Sequence, residues 1–437
     1  MLFLKDKINL FCIAAYSAVC LIFVFVNFSP PDKVLYFIIA YSLGFIISVF
    51  LFFRNKSRQN ISFIEILTVT ILLKMILLFV NPVTSNDYAR YIWDGKVQAA
   101  GINPFKYAPG DKEVKFLEDD KIYSLITYKE IKTIYPPFAQ IVFLLNQLLF
   151  SGSVSGLKII FLLFDTGVIW FLYKILLVLK INTNSILLYA LSPLILFEII
   201  LNAHVDILLL FFLTGCIYYC LTKQFYLAYL MLGFSVMAKL YSLIFLPLMI
   251  YQFINLENPR KLIFGLFFFA LPFLLIFYYF DGFFEILGVV KNYDSHWYYN
   301  ALPFKAVAEI FQFLGMVDHQ IIRLVFRILF LITLLYYSFS SKPFLSKLVF
   351  IMFFYFFLNT TVYPWYLLPL SMMIVINFNY TFLFWTGIIG LTNFTVYEYL
   401  NTGVWADNNY ILGIEYAILT ALFIFEYKKR SRLIKPV

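Results

Sequence analysis

Residues 84–109 read TSNDYARYIWDGKVQAAGINPFKYAP. Asp87, Arg90, Tyr91 and Asp94 fall there at i, i+3, i+4 and i+7, so a helix would carry all four on one face. A carboxylate with limited access to water can act as a general base and take the proton of an incoming hydroxyl. Its ordinary pKa is near 4, and partial burial raises it. Tyr88, Tyr91 and Trp93 offer the apolar bulk for such burial. Each residue also has a plainer use. Asp87 can cap the helix and complement its dipole, and Arg90 with Asp94 can form a surface ion pair. A helix starting at Thr84 places Asp87 at capping-box spacing, and Gly101 and Pro104 stop it.

Further polar residues interrupt apolar runs downstream. Glu198, Asn202, His204 and Asp206 cluster at one helix end in SPLILFEIILNAHVDILLL. Lys239 ends a short apolar helix, and His296, Trp297 and Lys305 follow within a polar connection. These side-chain types suit hydroxyls and anionic groups. They also have quiet roles: a neutral hydrogen-bonded histidine, a lysine snorkelling to the interface, a tryptophan in an interface belt. Tyr363, Trp365 and Tyr366 belong to such a belt, pack in the core, or stack on a ligand. Asp165 stands inside an apolar run, where it pairs with Lys74 or serves function. Cys12, Cys20, Cys216 and Cys220 lie in apolar runs with no third ligand at metal spacing, so they read as small core residues.

The elements that must position these residues are membrane helices. Of 437 residues 63% are hydrophobic and 13% charged, about half the charged share of a soluble domain. Mean hydropathy is +0.87. Apolar runs of about 20 residues recur throughout, each long enough to span a bilayer. The fold class is therefore all-α: one polytopic membrane domain, 1–437, of about 11–14 transmembrane helices. Basic residues at 5 and 7, 54–58, 174 and 180, 223, 260–261, 342 and 347, and 428–435 assign both termini to the cytoplasm. The net charge of +9 reflects that bias and not nucleic-acid binding. The first run is too long and uniform for a signal peptide, so it reads as a membrane helix.

Between the basic clusters the spans are 9–28, 34–53, 61–80, 157–179, 185–201, 205–222, 225–240, 241–255, 262–280, 320–340, 347–361, 363–379, 381–399 and 410–427. The spans 225–240 and 347–361 are short and suit half-helices. This threading leaves 81–134 as a large, helical external loop carrying the candidate site, with 281–304 as a second. The turns at 202–206 and 361–366 share that face, and 135–150 lies along the interface. No internal repeat of the kind built into many transporters is visible.

SNDYARYIWDGKVQAAGINPFKYAP followed by IKTIYPPFAQ resembles bacterial glycosyltransferases of the GT-C fold that use polyprenyl-phosphate-linked sugars. In pattern it is nearest to polyprenyl-phosphate-mannose transferases and to the first mannosyltransferase of GPI-anchor synthesis. SPLILFEIILNAHVDILLL, VMAKLYSLIFLP, DSHWYYNALPFK and TVYPWYLLPL are similar to later blocks of the same pattern, scattered over roughly residues 60 to 370. The resemblance implies an inverting transferase of the plasma membrane. It would move a hexose, most simply mannose, from a polyprenyl-phosphate carrier to an extracytoplasmic glycan or glycolipid. It implies Asp87 as general base, with Arg90, Tyr91, Asp94, Asn202, His204, Asp206, Lys239, His296, Trp297 and Lys305 around the substrates. The Asp-x-Asp of the eukaryotic enzymes reads Ser85-Asn86-Asp87 here. That departure removes one carboxylate of the pair, so a divalent metal is compatible but not implied, and no cofactor is expected. The alternative class is a transporter or lipid flippase in which Lys74, Asp165, Glu198 and Lys239 line a path.

Overall fold

A computed structural model describes residues 3–58, 61–256, 261–279, 286, 288–289, 297–315 and 319–433. Among them every regular element is helical, and one isolated β-bridge joins Tyr299 to Thr361. Five helices are long and apolar enough to cross a membrane: Lys7–Phe25, Pro30–Asn55, Val154–Leu179, His319–Phe339 and Asn409–Lys428. Shorter apolar helices, 225–238 and 344–357 among them, supply the rest of a polytopic membrane protein.

Where the pattern suggested continuous spans, the backbone is often broken. The 185–201 span is a pair, Thr183–Ala190 and Leu194–Leu201, bent by 50°. Pro193 sits in the break, where its ring and missing N–H prevent a continuous helix. The 363–379 and 262–280 spans contain 3-10 turns beginning at or next to Pro364 and Pro272. The second connection, 281–304, lies largely outside the described residues.

The chain divides into two compact units: Met1–Thr70, Ile181–Phe197 and Trp297–Val437 in one, Ile71–Lys180 and Glu198–His296 in the other. In the first, Pro30–Asn55 packs against Lys7–Phe25 and Phe394–Thr402. A buried asparagine set there joins three distant parts of the chain: Asn9 and Asn55 bond each other at 3.1 Å, and Asn184 Nδ2 donates to the Asn55 carbonyl at 2.8 Å.

In the second unit, Asp206–Leu221 packs on Val154–Leu179 and on Phe225–Ala238, and Asp87–Ala99 lies on Pro137–Phe150. The last contact is close because Gly95 has no side chain. A Cβ there would come within 2.4 Å of the Phe143 carbonyl oxygen. The 100–136 segment folds back over the Asp87 helix. Lys96 Nζ donates to the Leu117 carbonyl at 2.6 Å and to Asp119 at 2.9 Å. Lys74 and Asp165 form a wholly buried ion pair in this unit. Lys158 Nζ donates to the Leu77 and Val80 carbonyls, which satisfies the chain where the Phe63–Met75 helix has ended.

Removing one partner of a buried pair leaves an uncompensated charge, whereas removing both with apolar groups does not. Lys74→Met should therefore destabilise the protein by about 3–5 kcal/mol, and Lys74→Met/Asp165→Leu should recover most of that loss. Unfolding in detergent, followed by circular dichroism across the single and double variants, checks the expectation.

Candidate active site

The polar residues of the second unit converge on Asp87. Asp87 opens the helix Asp87–Ala99, and its own N–H donates to Ser85 Oγ at 3.2 Å. The helix does not start at Thr84, as capping-box spacing suggested. The N–H groups of Val83 and Thr84 are taken instead by Asn202 Oδ1, at 3.0 and 3.3 Å. Asn202 Nδ2 in turn donates to Thr84 Oγ1 at 2.8 Å and to Glu198 Oε2 at 3.2 Å. One buried amide thus holds the segment that delivers Asp87 onto the turn that delivers His204. The far end matches expectation: the helix stops at Ala99, and Gly101 takes a left-handed φ of +79°.

Glu198 comes from a π-helix, Leu194–Leu201, a wide geometry that recurs at functional sites. The His204 N–H closes it by donating to the Glu198 carbonyl at 3.0 Å. That closure puts Ala203 at φ +59°, a region alanine enters at a cost of about 1–2 kcal/mol. Strain of this kind is held by its surroundings, here the Asn202 bonds on one side and the next helix on the other. Asp206 is the first residue of that helix, where the dipole favours a carboxylate.

His204 is fully buried, with Nδ1 3.9 Å from Asp87 Oδ2 and Nε2 3.3 Å from Glu198 Oε2. Asp206 forms an ion pair with Lys239. Lys239 stands at a break: Phe225–Ala238 ends there and a 3-10 turn, Leu240–Phe245, begins. The break is tied by Ser235 Oγ and Ser242 Oγ, 2.8 Å apart, with Ser235 also reaching the Leu209 carbonyl. Asp87 alone of these carboxylates is substantially open, its side chain keeping 37% of its exposure. Crowding by protein still raises its pKa above the ordinary carboxylate value, against the pull of His204 and Lys239. The charge of Asp206 pushes it further up. Burial and the nearby carboxylates also hold the hydroxyls of Tyr91 and Tyr135 well above the usual tyrosine range.

Asp94 is differently placed. It is buried, and Arg90 Nε, Thr133 Oγ1 and Gln140 Nε2 donate to its two oxygens at 2.8, 2.6 and 2.9 Å. Arg90 also donates to the Ile131 carbonyl at 2.8 Å, so this group staples the 131–135 segment to the helix. Tyr91 is buried, stacked on Phe143 with centroids 4.8 Å apart. Trp297 and Lys305 belong to the other unit, where Trp297 Nε1 donates to the Tyr363 hydroxyl at 2.8 Å and Lys305 Nζ to Asn409 at 2.5 Å. His296 lies outside the described residues. Among the described residues no group of three His, Cys, Asp or Glu side chains is placed to hold a metal ion.

Residues 17–255, more than half of the chain, match the MptA_B family, described as the N-terminal domain of alpha-(1->6)-mannopyranosyltransferase. The chain belongs to this family. No curated protein and no solved structure matches it. It is accordingly a membrane mannosyltransferase, a glycosyltransferase with a sugar donor and an acceptor as substrates, and the transporter reading falls away. Asp87, Glu198, Asn202, His204, Asp206 and Lys239 of this mannosyltransferase all lie within the matched residues.

Thr133 and Gln140 escaped sequence reasoning, as did the bonding roles of Thr84 and Ser85, because common polar residues carry no spacing signal until the chain folds. Asn202→Ala should leave three bonds to residues 83 and 84 unmade, lowering stability by about 1–3 kcal/mol. Displacement of Asp87 should also lower mannosyl transfer. Thermal unfolding and transfer rates on the same detergent preparation measure both effects.

Proposed function

We propose that this mannosyltransferase takes mannose from a polyprenyl-phosphate carrier and passes it, with inversion, to a hydroxyl of an extracytoplasmic glycan or glycolipid. The observation that carries this reading is the half-open Asp87 carboxylate, crowded enough to be more basic than usual and faced by His204 and the Asp206–Lys239 pair. Asp87 accepts the acceptor proton as the oxygen attacks the anomeric carbon. The bond from that carbon to the phosphate oxygen breaks, and polyprenyl phosphate leaves with the electron pair. Lys239 offsets the charge gathering on the phosphate. Asn202, whose amide is fully bonded within the protein, holds the Asp87 segment in place, Asp206 orients Lys239, and the apolar helix faces hold the lipid tail.

The family's description names an α-(1→6) linkage. The acceptor group is then a primary 6-hydroxyl, and single displacement with inversion requires a β-linked donor. The basic clusters support this reading, in which both termini face the cytoplasm of a plasma membrane and the Asp87 loop the opposite side. The proposed chemistry needs no cofactor.

The test is transfer from radiolabelled polyprenyl-phosphate mannose to an α-mannoside acceptor by membranes containing the full chain. Asp87→Asn should lower the rate by about 10²–10⁴-fold. Transfer that survives in this variant removes Asp87 from the role of base. Transfer only from a nucleotide sugar removes the lipid-linked donor.

Asp87 works only when ionised, and its pKa is raised, so activity should fall as pH drops through a value above the ordinary carboxylate range. Lys239 pulls that pKa down. Lys239→Gln should therefore move the acid limb of the rate profile to higher pH, which initial rates at saturating donor across a pH series will show.

A further inference from the structure

The mechanism above leaves a proton on Asp87 after each transfer and gives Glu198 no task. Glu198 is fully buried, and its Oε1 has no hydrogen-bond partner among the described residues. A buried carboxylate oxygen left unbonded is costly unless a positive charge stands beside it. The nearest group able to acquire one is His204, whose Nε2 lies 3.3 Å from Glu198 Oε2. The other ring nitrogen of His204 faces Asp87 at 3.9 Å.

We propose that Glu198 and His204 form a relay that drains the proton from Asp87 and restores it as a carboxylate. This proposal rests on the reading of Asp87 as base. To act as the relay, His204 must present Nδ1 unprotonated to Asp87 and carry its one ring proton on Nε2, which lies 3.3 Å from Glu198 Oε2. The acceptor O–H bond breaks and its proton binds Asp87. That proton then passes from Asp87 to Nδ1 of His204. The imidazolium so formed lies between two carboxylates, Asp87 and Glu198, and later loses its Nδ1 proton to water that enters as product departs. No electrons change hands, and each proton is accounted for. The separation of 3.9 Å is longer than a hydrogen bond, and such distances commonly shorten once substrate fills a site.

The fold supports this assignment independently. The π-helical stretch and the left-handed Ala203 place residues 198 and 204 so that the backbone of one bonds the backbone of the other at 3.0 Å. Asn202 between them anchors the 83–84 segment and so sets the position of Asp87. The other charged groups that act on Asp87 are Asp206, which raises its pKa, and Lys239, which lowers it. Arg90 is engaged by Asp94 and Ile131, and the Tyr91 and Tyr135 hydroxyls stay protonated near neutral pH. His204 is a positioning and relay residue, since it is fully buried and acts through Asp87.

The experiment uses the full chain in nanodiscs and compares Glu198→Gln, His204→Gln and the double variant. Each single change should lower kcat about 10–100-fold and leave the donor KM within about twofold, an effect of the size of one acid–base contribution or less. The double variant should be no slower than His204→Gln, because the two act in series. Infrared titration of the Asp87 carboxyl, assigned by its loss in Asp87→Asn, reads the coupling without turnover. The charged form of His204 lowers the Asp87 pKa, so its removal should move that titration to higher pH, and Glu198→Gln should change its position by altering how readily His204 takes the proton. Losses that multiply in the double variant, or an Asp87 titration unmoved by both changes, overturn the relay. Transfer that persists in Asp87→Asn overturns the base assignment instead. Should Glu198→Gln fail to accumulate, Glu198→Asp keeps the charge, and a rate below wild type with unchanged KM supports the relay; a wild-type rate opposes it.

Discussion

Everything in the site depends on one buried primary amide. Asn202 accepts from two backbone N–H groups of the 83–84 segment and donates to Thr84 and Glu198. It lies 118 residues along the chain from Thr84, yet holds the short segment that leads from that residue to Asp87. An amide suits this post because it both donates and accepts without charge. A carboxylate could not donate to Thr84 and Glu198, and a lysine could not accept from the backbone. The same residue directly follows the π-helical stretch, so the amide that positions Asp87 also positions the histidine facing it.

Around that amide the polar groups divide by how completely they are bonded. Asp94 receives three donors and is removed from water, which makes it a structural anchor for the 131–135 segment. Asp206 has Lys239. Asp87 has a histidine beyond hydrogen-bond range and an open side, so it is the carboxylate whose basicity is available to a substrate. The two aspartates of one helix face have thus opposite fates, and burial rather than spacing separates them.

Much of this was legible in the sequence. The membrane class followed from hydropathy, and Asp87, Glu198, Asn202, His204, Asp206 and Lys239 were marked because polar residues at the ends of apolar runs need a reason. What periodicity could not supply was which polar residue meets which. The partner of Asp94 includes Gln140, separated from it by a long irregular segment, and no local pattern announces that contact. The start of the Asp87 helix was misjudged for the same reason: a long-range amide captured the N–H groups that a local cap would have used. The breaks at Pro193 and near Pro272 and Pro364 were visible as prolines, but hydropathy averaged over them and merged two short helices into one span.

The Lys74–Asp165 pair bears on how the chain enters its membrane. Its members are 91 residues apart, and each sits in an apolar helix with no exposure to water. A lone charge at the centre of a hydrophobic segment costs about 2.5–3.5 kcal/mol to insert. The helix bearing Lys74 is synthesised first and, with that lysine in its last turn, carries part of that cost until the helix bearing Asp165 emerges. Insertion of the earlier segment is therefore completed by the later one, and the whole Asp87 loop is made in the interval. The loop is made before its flanking helices are locked together, an order of assembly written into the position of two charges.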